Sequence, residues 1–88
     1  MQYQVYVLRN PTGRLYIGLT ENVAARLRQH NAGESKWTAK FGPWELCWTS
    51  EPMSLSDARK LENLLKRQKG GDGFYKITGL SRPPKAGS

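Results

Sequence analysis

Five side chains in this 88-residue sequence can take part in chemistry, although each lies in a segment that otherwise looks built for packing. They are two tyrosines, one arginine, one histidine and one glutamate, namely Tyr6, Tyr16, Arg26, His30 and Glu62. An arginine binds phosphate oxygens in a bidentate manner, an imidazole exchanges a proton near neutral pH, and a carboxylate holds a hard divalent cation. Because each residue also has an ordinary structural interpretation, the evidence lies in their spacing.

Glu62 interrupts the apolar side of a predicted helix that begins near Ser54. Ser54 and Asp57 have the spacing of a capping box, and at about 100° per residue the leucines and Ala58 form one arc that contains Glu62. A carboxylate within such an arc is unfavourable unless it is paired or binds a cation. Two hypotheses therefore stay open. Glu62 is a cation ligand, or it is an edge residue whose side chain reaches solvent or pairs with an arginine, for which Arg26 is a candidate.

Arg26 and His30 lie one turn apart in an earlier predicted helix, so the two side chains present together. Val23 and Leu27 define the apolar side of this helix, and His30 lies close to Val23 in angle, with Arg26 beside it. In the plainer interpretation, Arg26 lays its aliphatic stem on the sheet and His30 is a half-buried histidine with its hydrogen bonds satisfied. The single histidine and single cysteine of the chain exclude a structural zinc site.

Tyr6 and Tyr16 lie in two strand-like runs, YQVYVL and LYIGL, which predict an antiparallel hairpin. A five-residue loop over residues 9–13 would place the tyrosines opposite each other on one face, whereas a four-residue loop would place them on opposite faces. Tyrosine is also simply a good strand former. Gly18 weakens the second run and adds no packing there, so its presence needs another reason.

The other elements follow from capping residues and hydrophobic pattern. Thr20 or Asn22 can cap the first helix, which runs to about Asn31, and the second helix runs to about Lys69. The segment WELCWTS predicts a third strand whose buried face carries Trp44, Leu46 and Trp48. FYKITGL is a short closing segment, either helical or extended. The order β-β-α-β-α indicates an α+β fold, with a small three-stranded antiparallel sheet and helices packed on it.

The net charge of the chain indicates what kind of partner it binds. Fourteen lysines and arginines against seven acidic residues give a net charge of +7, which favours a polyanion and nucleic acid first. A single cysteine, Cys47, suits a reducing cytoplasm, and no segment resembles a signal peptide or a membrane span. We expect a cytoplasmic protein, assumed monomeric and without membrane association. Its one domain covers residues 1–80, and residues 81–88 form a polar, proline-rich, disordered tail.

Taken together, these motifs resemble the GIY-YIG endonuclease superfamily, and most closely its short, single-domain bacterial branch, often called URI-type. The resemblance runs from Tyr3 to about Leu80 and rests on LYIGLT, Asn22, ARLRQHN with Gly33, PWEL and DARKLENLLK, in that order and spacing. It implies a metal-dependent endonuclease that hydrolyses DNA phosphodiester bonds with little intrinsic sequence specificity. RNA is the alternative substrate.

The resemblance also implies roles for the five side chains. Tyr6 and Tyr16 are the two motif tyrosines, and Gly18 closes the second half-motif. Arg26 contacts the scissile phosphate, His30 stands where many members of this branch carry histidine, and Glu62 is the metal ligand. A single Mg²⁺ or Mn²⁺ ion is expected, since no other acidic residue is well placed to share an ion with Glu62. Which of Tyr6, Tyr16 and His30 takes the proton stays open.

One feature leaves the function open. Many nucleases of this family carry an asparagine well downstream of the glutamate, and here no asparagine follows Asn63. The alternatives to an active nuclease are a non-catalytic nucleic-acid-binding module and a domain active only within a larger repair or recombination complex, targeted by a protein partner. Basic side chains are expected to hold phosphates without reading sequence, and they are Lys36, Lys40, Lys66, Arg67 and Lys69.

Overall fold

A three-stranded antiparallel sheet in the order β2-β1-β3 is the centre of the fold. The computed structural model describes residues 1–33, 40–69 and 71–80. Within them the strands are β1 (Gln4–Arg9), β2 (Leu15–Thr20) and β3 (Glu45–Thr49), and the helices are α1 (Val23–Asn31), α2 (Leu55–Arg67) and α3 (Asp72–Thr78). The predicted α+β fold and its element order are confirmed, and the short closing segment is helical.

The loop of the β1–β2 hairpin has five residues, the length of one of the two alternatives, but it spans residues 10–14 and not residues 9–13. The Asn10 side chain closes the loop by accepting hydrogen bonds from the Arg14 N–H, 2.7 Å, and from the Thr12 hydroxyl, 3.0 Å. Gly13 supplies the left-handed conformation in this loop, with φ of 89°. Tyr6 is therefore paired with Gly18, and Tyr16 with Leu8. The two tyrosines share a face, which is the outcome of the five-residue alternative, but they are diagonal neighbours and not direct partners.

The third strand departs from the predicted pattern because of a β-bulge. Val7 pairs with Trp48, whereas the next residue of β1, Leu8, pairs with Leu46, so Cys47 is the extra residue. A single inserted residue reverses the side-chain alternation. The prediction that Trp44, Leu46 and Trp48 form one buried face is therefore wrong. Trp44 packs with Leu8 on one face of the sheet, Trp48 packs against the opposite face, and Leu46 is 38% exposed.

The two faces of the sheet are covered by different helices. One face, with Val5, Val7 and Ile17, packs against Ala58 and Leu65 of α2 and Phe74 of α3. The other face carries Tyr6, Leu8 and Tyr16, and Val23 and Leu27 of α1 pack on it together with Trp44 and Phe41. Because this second face is rich in aromatic and polar side chains, it is the face that bears the candidate site.

The two longer helices begin at capping residues that the sequence offers, Asn22 being one of the two candidates for α1. The Asn22 side chain caps α1 by accepting from the N–H of Ala25, 3.0 Å, and Ser54 caps α2 by accepting from the N–H of Asp57, 3.2 Å. Asn31, at the end of α1, bonds both backbone groups of Trp44 at 2.7 and 3.0 Å. This double contact fixes the end of α1, and hence His30, against the start of β3.

Some of the predictions concern residues outside those described. Lys36 and the tail, residues 81–88, lie there, so the tail's disorder and the domain boundary at Leu80 stay predictions. No helix among residues 1–33, 40–69 and 71–80 has both the length and the apolar character needed to cross a bilayer.

Leu55 of α2 departs from the predicted apolar arc. It is 44% exposed because it occupies the first turn of the helix, at the end of the contact with the sheet.

Candidate active site

Tyr6 lies at the centre of the site because β1 is the middle strand of the sheet. Its side chain is 1% exposed and crosses the neighbouring strand β2 directly over Gly18. A Cβ atom at residue 18 would lie 2.6 Å from the Tyr6 hydroxyl oxygen and 2.7 Å from Cζ, closer than real Cβ contacts allow. Gly18 is thus explained by the close approach of the Tyr6 ring, and not by a turn.

Three side chains meet at the Tyr6 hydroxyl. The oxygen lies 3.0 Å from Nε2 of His30, whose side chain is 1% exposed, and it also makes a hydrogen bond with the Arg26 guanidinium. Arg26 has a second hydrogen bond, to the Tyr16 side chain, and its Nη1 donates to Oε1 of Gln29 at 3.0 Å. The predicted pairing of Arg26 and His30 on one side of α1 thus brings both side chains to the two tyrosines.

Tyr16 completes the cluster from the neighbouring strand. Its ring centroid is 6.2 Å from that of Tyr6 and 4.7 Å from that of His30, and the His30 contact has an edge-to-face geometry that favours aromatic pairs. Unlike Tyr6, Tyr16 is only half-buried, and it lines a cavity of about 370 Å³ at the edge of β2. Tyr16 is therefore the tyrosine that a bound substrate can reach.

Protonation equilibria in the cluster favour neutral groups. Burial raises the pKa of Tyr6 to about 12, although the hydrogen bond from Arg26 acts in the opposite direction. Burial also lowers the pKa of His30, and the positive charge of Arg26 lowers it further. At neutral pH, Tyr6 is therefore a phenol, His30 is an uncharged imidazole, and Arg26 carries the positive charge of the cluster.

Glu62 lies on α2, the helix that packs on the other face of the sheet. Its side chain is 8% exposed, and each carboxylate oxygen has a cationic neighbour: Arg59 Nη1 lies 3.5 Å from Oε1, and Lys66 Nζ lies 3.3 Å from Oε2. The negative charge of Glu62 acts on Tyr6 and contributes to the raised pKa of that phenol. The hypothesis that Glu62 pairs with an arginine is thus correct for Arg59, but Arg26 is not among its ion-pair partners in the described residues.

The donor set at Glu62 fits a single hard cation. No group of three or more histidine, cysteine, aspartate or glutamate side chains that could bind a metal occurs in the described parts of the chain. A Mg²⁺ ion needs no such cage, because it keeps several waters and is commonly held by one or two carboxylates together with substrate phosphates. One buried carboxylate whose present neighbours are both cations is the kind of ligand that such an ion can use.

Basic side chains of α2, and Lys69 just beyond its end, line two cavities. Lys66 and Lys69 line the same cavity as Tyr16, together with Ile17. A more open groove of about 630 Å³ is lined by Lys60, Asn63, Lys66 and Arg67. Lys66 lines both the cavity and the groove, and it also pairs with Glu62. Three of the five predicted phosphate ligands therefore lie along one path beside the cluster, namely Lys66, Arg67 and Lys69.

Lys40 lines neither of these two cavities, and its Nζ lies 5.7 Å from the centre of the Phe41 ring. Sequence reasoning missed Arg14, whose guanidinium carbon lies 4.2 Å from the same ring centre and whose charge acts on Lys69. Its position in a loop gave no periodicity from which a role could be inferred. Arg14 thus adds a further cation near Lys69.

Comparison with known proteins agrees with this arrangement. Residues 2–74 match the GIY-YIG catalytic domain family, and the chain therefore belongs to that family. A UPF0213 protein of Oceanobacillus iheyensis is 34% identical over 75% of this chain and 78% of its own length. A UPF0213 protein of Yersinia pestis is 39% identical over 74% of this chain and 70% of its own length.

A solved structure has the same fold. The solution NMR structure of the UPF0213 protein BH0048 of Bacillus halodurans superimposes with a TM-score of 0.57, at 28% identity, over 96% of this chain and 89% of that one. The structure-specific endonuclease subunit SLX1 of Mus musculus is 48% identical over an alignment of 52 residues. The match covers 50% of this chain and 19% of the mouse protein. This chain thus spans about a fifth of the length of that relative. Nucleases of the GIY-YIG family generally depend on a divalent metal.

Proposed function

We propose that this chain is an endonuclease that hydrolyses DNA phosphodiester bonds with the help of one Mg²⁺ or Mn²⁺ ion. The observation that carries the proposal is the convergence of Tyr6, Tyr16, Arg26 and His30 on one hydroxyl cluster that the Glu62 charge also reaches. The GIY-YIG family match and the endonuclease named among the relatives support the reaction class.

Arg26 is the proposed ligand of the scissile phosphate. Arg26 is an exposed residue, and its guanidinium interacts with Gln29 and with the hydroxyls of Tyr6 and Tyr16. Preorganised donors of this kind stabilise the charge that develops on phosphate oxygens in the transition state. Because His30 is neutral, no second cation lies beside Arg26 to repel it. Arg26 therefore supplies the positive charge that stabilises the phosphate oxygens.

The two tyrosines have different proposed roles. Tyr16 borders the cavity, so its side chain is the one that can contact the attacking water. Tyr6 is almost fully buried, and it acts through its partners by holding Arg26 and His30 in place. Glu62 would hold the cation, which when bound supplies Lewis-acid stabilisation of the phosphate and lowers the pKa of a bound water.

Low sequence specificity is part of the proposal. The cations near the site, Arg14, Lys60, Lys66, Arg67 and Lys69, suit phosphate contacts, which position DNA but carry no sequence information. The second candidate is a domain that cuts only within a larger complex. It is favoured by the relative whose name describes a subunit, of which this chain spans 19%. A non-catalytic DNA-binding module is the third, since no asparagine follows Asn63.

The test is nicking of supercoiled plasmid, and cleavage of labelled single-stranded, duplex and branched DNA, with Mg²⁺ or Mn²⁺. We expect cleavage by the wild-type chain and none by Glu62→Gln. Glu51→Gln is the matched control, because it removes the same charge at an exposed position and should cleave normally. A wild-type chain that binds every substrate and cuts none would exclude an autonomous nuclease and favour the other two candidates.

A further inference from the structure

We propose that Lys66 couples cation binding at Glu62 to phosphate binding in the cavity beside Tyr16. In the metal-free protein Lys66 neutralises Glu62, and when a cation takes that carboxylate the ammonium turns to a substrate phosphate. The inference rests on the proposed metal role of Glu62 and adds a regulatory link within the same site.

The first observation is the competition for Glu62. Lys66 Nζ lies 3.3 Å from Oε2, and the carboxylate is 8% exposed, so a cation that binds this oxygen must enter the space beside the ammonium. Two positive charges at such a separation repel each other, most strongly where water is scarce. Arg59 contacts the other oxygen, Oε1, at 3.5 Å, so it can stay in place when Lys66 leaves.

The second observation is where Lys66 can go. Its side chain is 52% exposed, and it lines both the cavity beside Tyr16 and the open groove along α2. A flexible four-carbon stem lets the ammonium move between neighbouring partners by rotamer changes alone. No rearrangement of the helix backbone is therefore required.

The third observation is the charge of the cavity. Lys69 also lines it, and the pKa of Lys69 is lowered by partial burial and then by the charges of Arg14 and Lys66. The described residues that line the cavity include no acidic side chain. Cations held this close to one another favour an anion, and beside Tyr16 the fitting anion is a backbone phosphate that flanks the scissile one.

Linkage then makes the coupling reciprocal. If a cation on Glu62 frees Lys66 for phosphate, a bound phosphate that holds Lys66 must in turn favour the cation by the same factor. Metal and DNA would therefore bind cooperatively, and each ligand alone would bind weakly.

The experiment measures Mn²⁺ binding by electron paramagnetic resonance, and binding of a short phosphorothioate duplex with and without Mn²⁺. The wild-type chain should bind the duplex several-fold more tightly with Mn²⁺. Lys66→Met should bind Mn²⁺ several-fold more tightly without DNA, and Mn²⁺ should no longer strengthen its duplex binding. Lys60→Met is the matched control: it removes the same charge from the groove but leaves Glu62 paired, so the metal effect should persist.

Two results would overturn the inference. One is a Lys66→Met protein in which Mn²⁺ strengthens duplex binding as much as in the wild-type chain, and the other is a Lys60→Met protein that loses the effect equally. Glu62→Gln separates these failures from failure of the proposed function. If that variant binds Mn²⁺ like the wild-type chain, Glu62 is not the metal ligand and the proposed metal site is itself wrong.

Discussion

The hydroxyl of Tyr6 occupies the space in which a side chain at residue 18 would begin. Any Cβ there would lie 2.6 Å from that oxygen, and Tyr6 cannot turn away easily because it is 1% exposed and bonded to His30. The glycine in β2 and the tyrosine in β1 are thus one structural unit. Without Gly18, the Tyr6 hydroxyl could not reach the site formed with α1.

Gly18→Ala should therefore destabilise the protein, although alanine is normally better than glycine in a strand. Overpacking of a buried site costs about 1–3 kcal/mol, which exceeds the roughly 0.5–1 kcal/mol gained in backbone entropy. Thermal or urea unfolding measures the change. The control repeats the substitution in a Tyr6→Leu protein, whose shorter side chain does not reach residue 18. There Gly18→Ala should be neutral or stabilising, and equal destabilisation in both backgrounds would contradict the steric explanation.

Tyr6→Phe and Tyr16→Phe should separate the two tyrosines. Removing the Tyr6 hydroxyl leaves buried His30 without that bond, which should cost about 1–2 kcal/mol of stability as well as activity. Tyr16 is half-buried, so Tyr16→Phe should lower stability by less than about 1 kcal/mol while cleavage is lost. Unfolding free energies and plasmid nicking are measured on the same samples. A Tyr16→Phe protein with full activity would remove Tyr16 from the reaction.

Glu62→Gln should lower stability only slightly in metal-free buffer. If the buried carboxylate of Glu62 were unpaired, its replacement would leave stability equal or raise it, because an unpaired buried charge is unfavourable. The structure shows instead two ion pairs within α2, whose cations are 58% and 52% exposed and therefore weakly stabilising. We expect a loss below about 1 kcal/mol in chemical unfolding. A loss of several kcal/mol would show that Glu62 has a mainly structural role.

Arg26→Ala should abolish cleavage and also weaken DNA binding, since it removes the proposed phosphate ligand. Lys40→Ala is the matched control, because it removes a cation that lines neither the groove along α2 nor the cavity beside Tyr16. Fluorescence anisotropy with a labelled duplex at several salt concentrations measures both. For the wild-type chain, binding should fall with salt along a log–log slope of a few units. Equal effects of the two substitutions would argue against a special role for Arg26.

Stability should fall below neutral pH because of His30. Its pKa is lowered from the ordinary 6.5 in the folded state, so the unfolded chain binds the proton more readily. The stability contributed by neutral His30 is therefore complete above about pH 6.5 and is lost as the pH falls through the lower, folded value. Urea unfolding between about pH 7.5 and 5.5 should show this slope in the wild-type chain and less of it in His30→Gln. Equal slopes would show that His30 is not the group responsible.

Local rules were sufficient for much of this protein. Alternating apolar residues placed three strands, and Asn22 and Ser54 started the two longer helices, because capping and strand pairing depend on neighbours in the chain. Helical spacing also put Arg26 and His30 on one side of α1 and Glu62 among the apolar residues of α2. The five candidate residues could thus be chosen from the sequence, with the family resemblance assigning their roles.

Contacts between distant segments decided the rest. The Asn10 side chain closes the hairpin loop by accepting a hydrogen bond from the Arg14 N–H. In the resulting register, Gly18 and not Tyr16 is the partner of Tyr6. The bulge at Cys47 sends Trp48 to the opposite face from Trp44, which alternation within one strand cannot reveal. The ion pairs of Glu62 and the approach of Arg14 to Lys69 depend on side-chain conformations and on how α2 lies against the hairpin. Sequence determined which groups are available, whereas tertiary packing determined which of them meet, because distances between elements are set by the whole core.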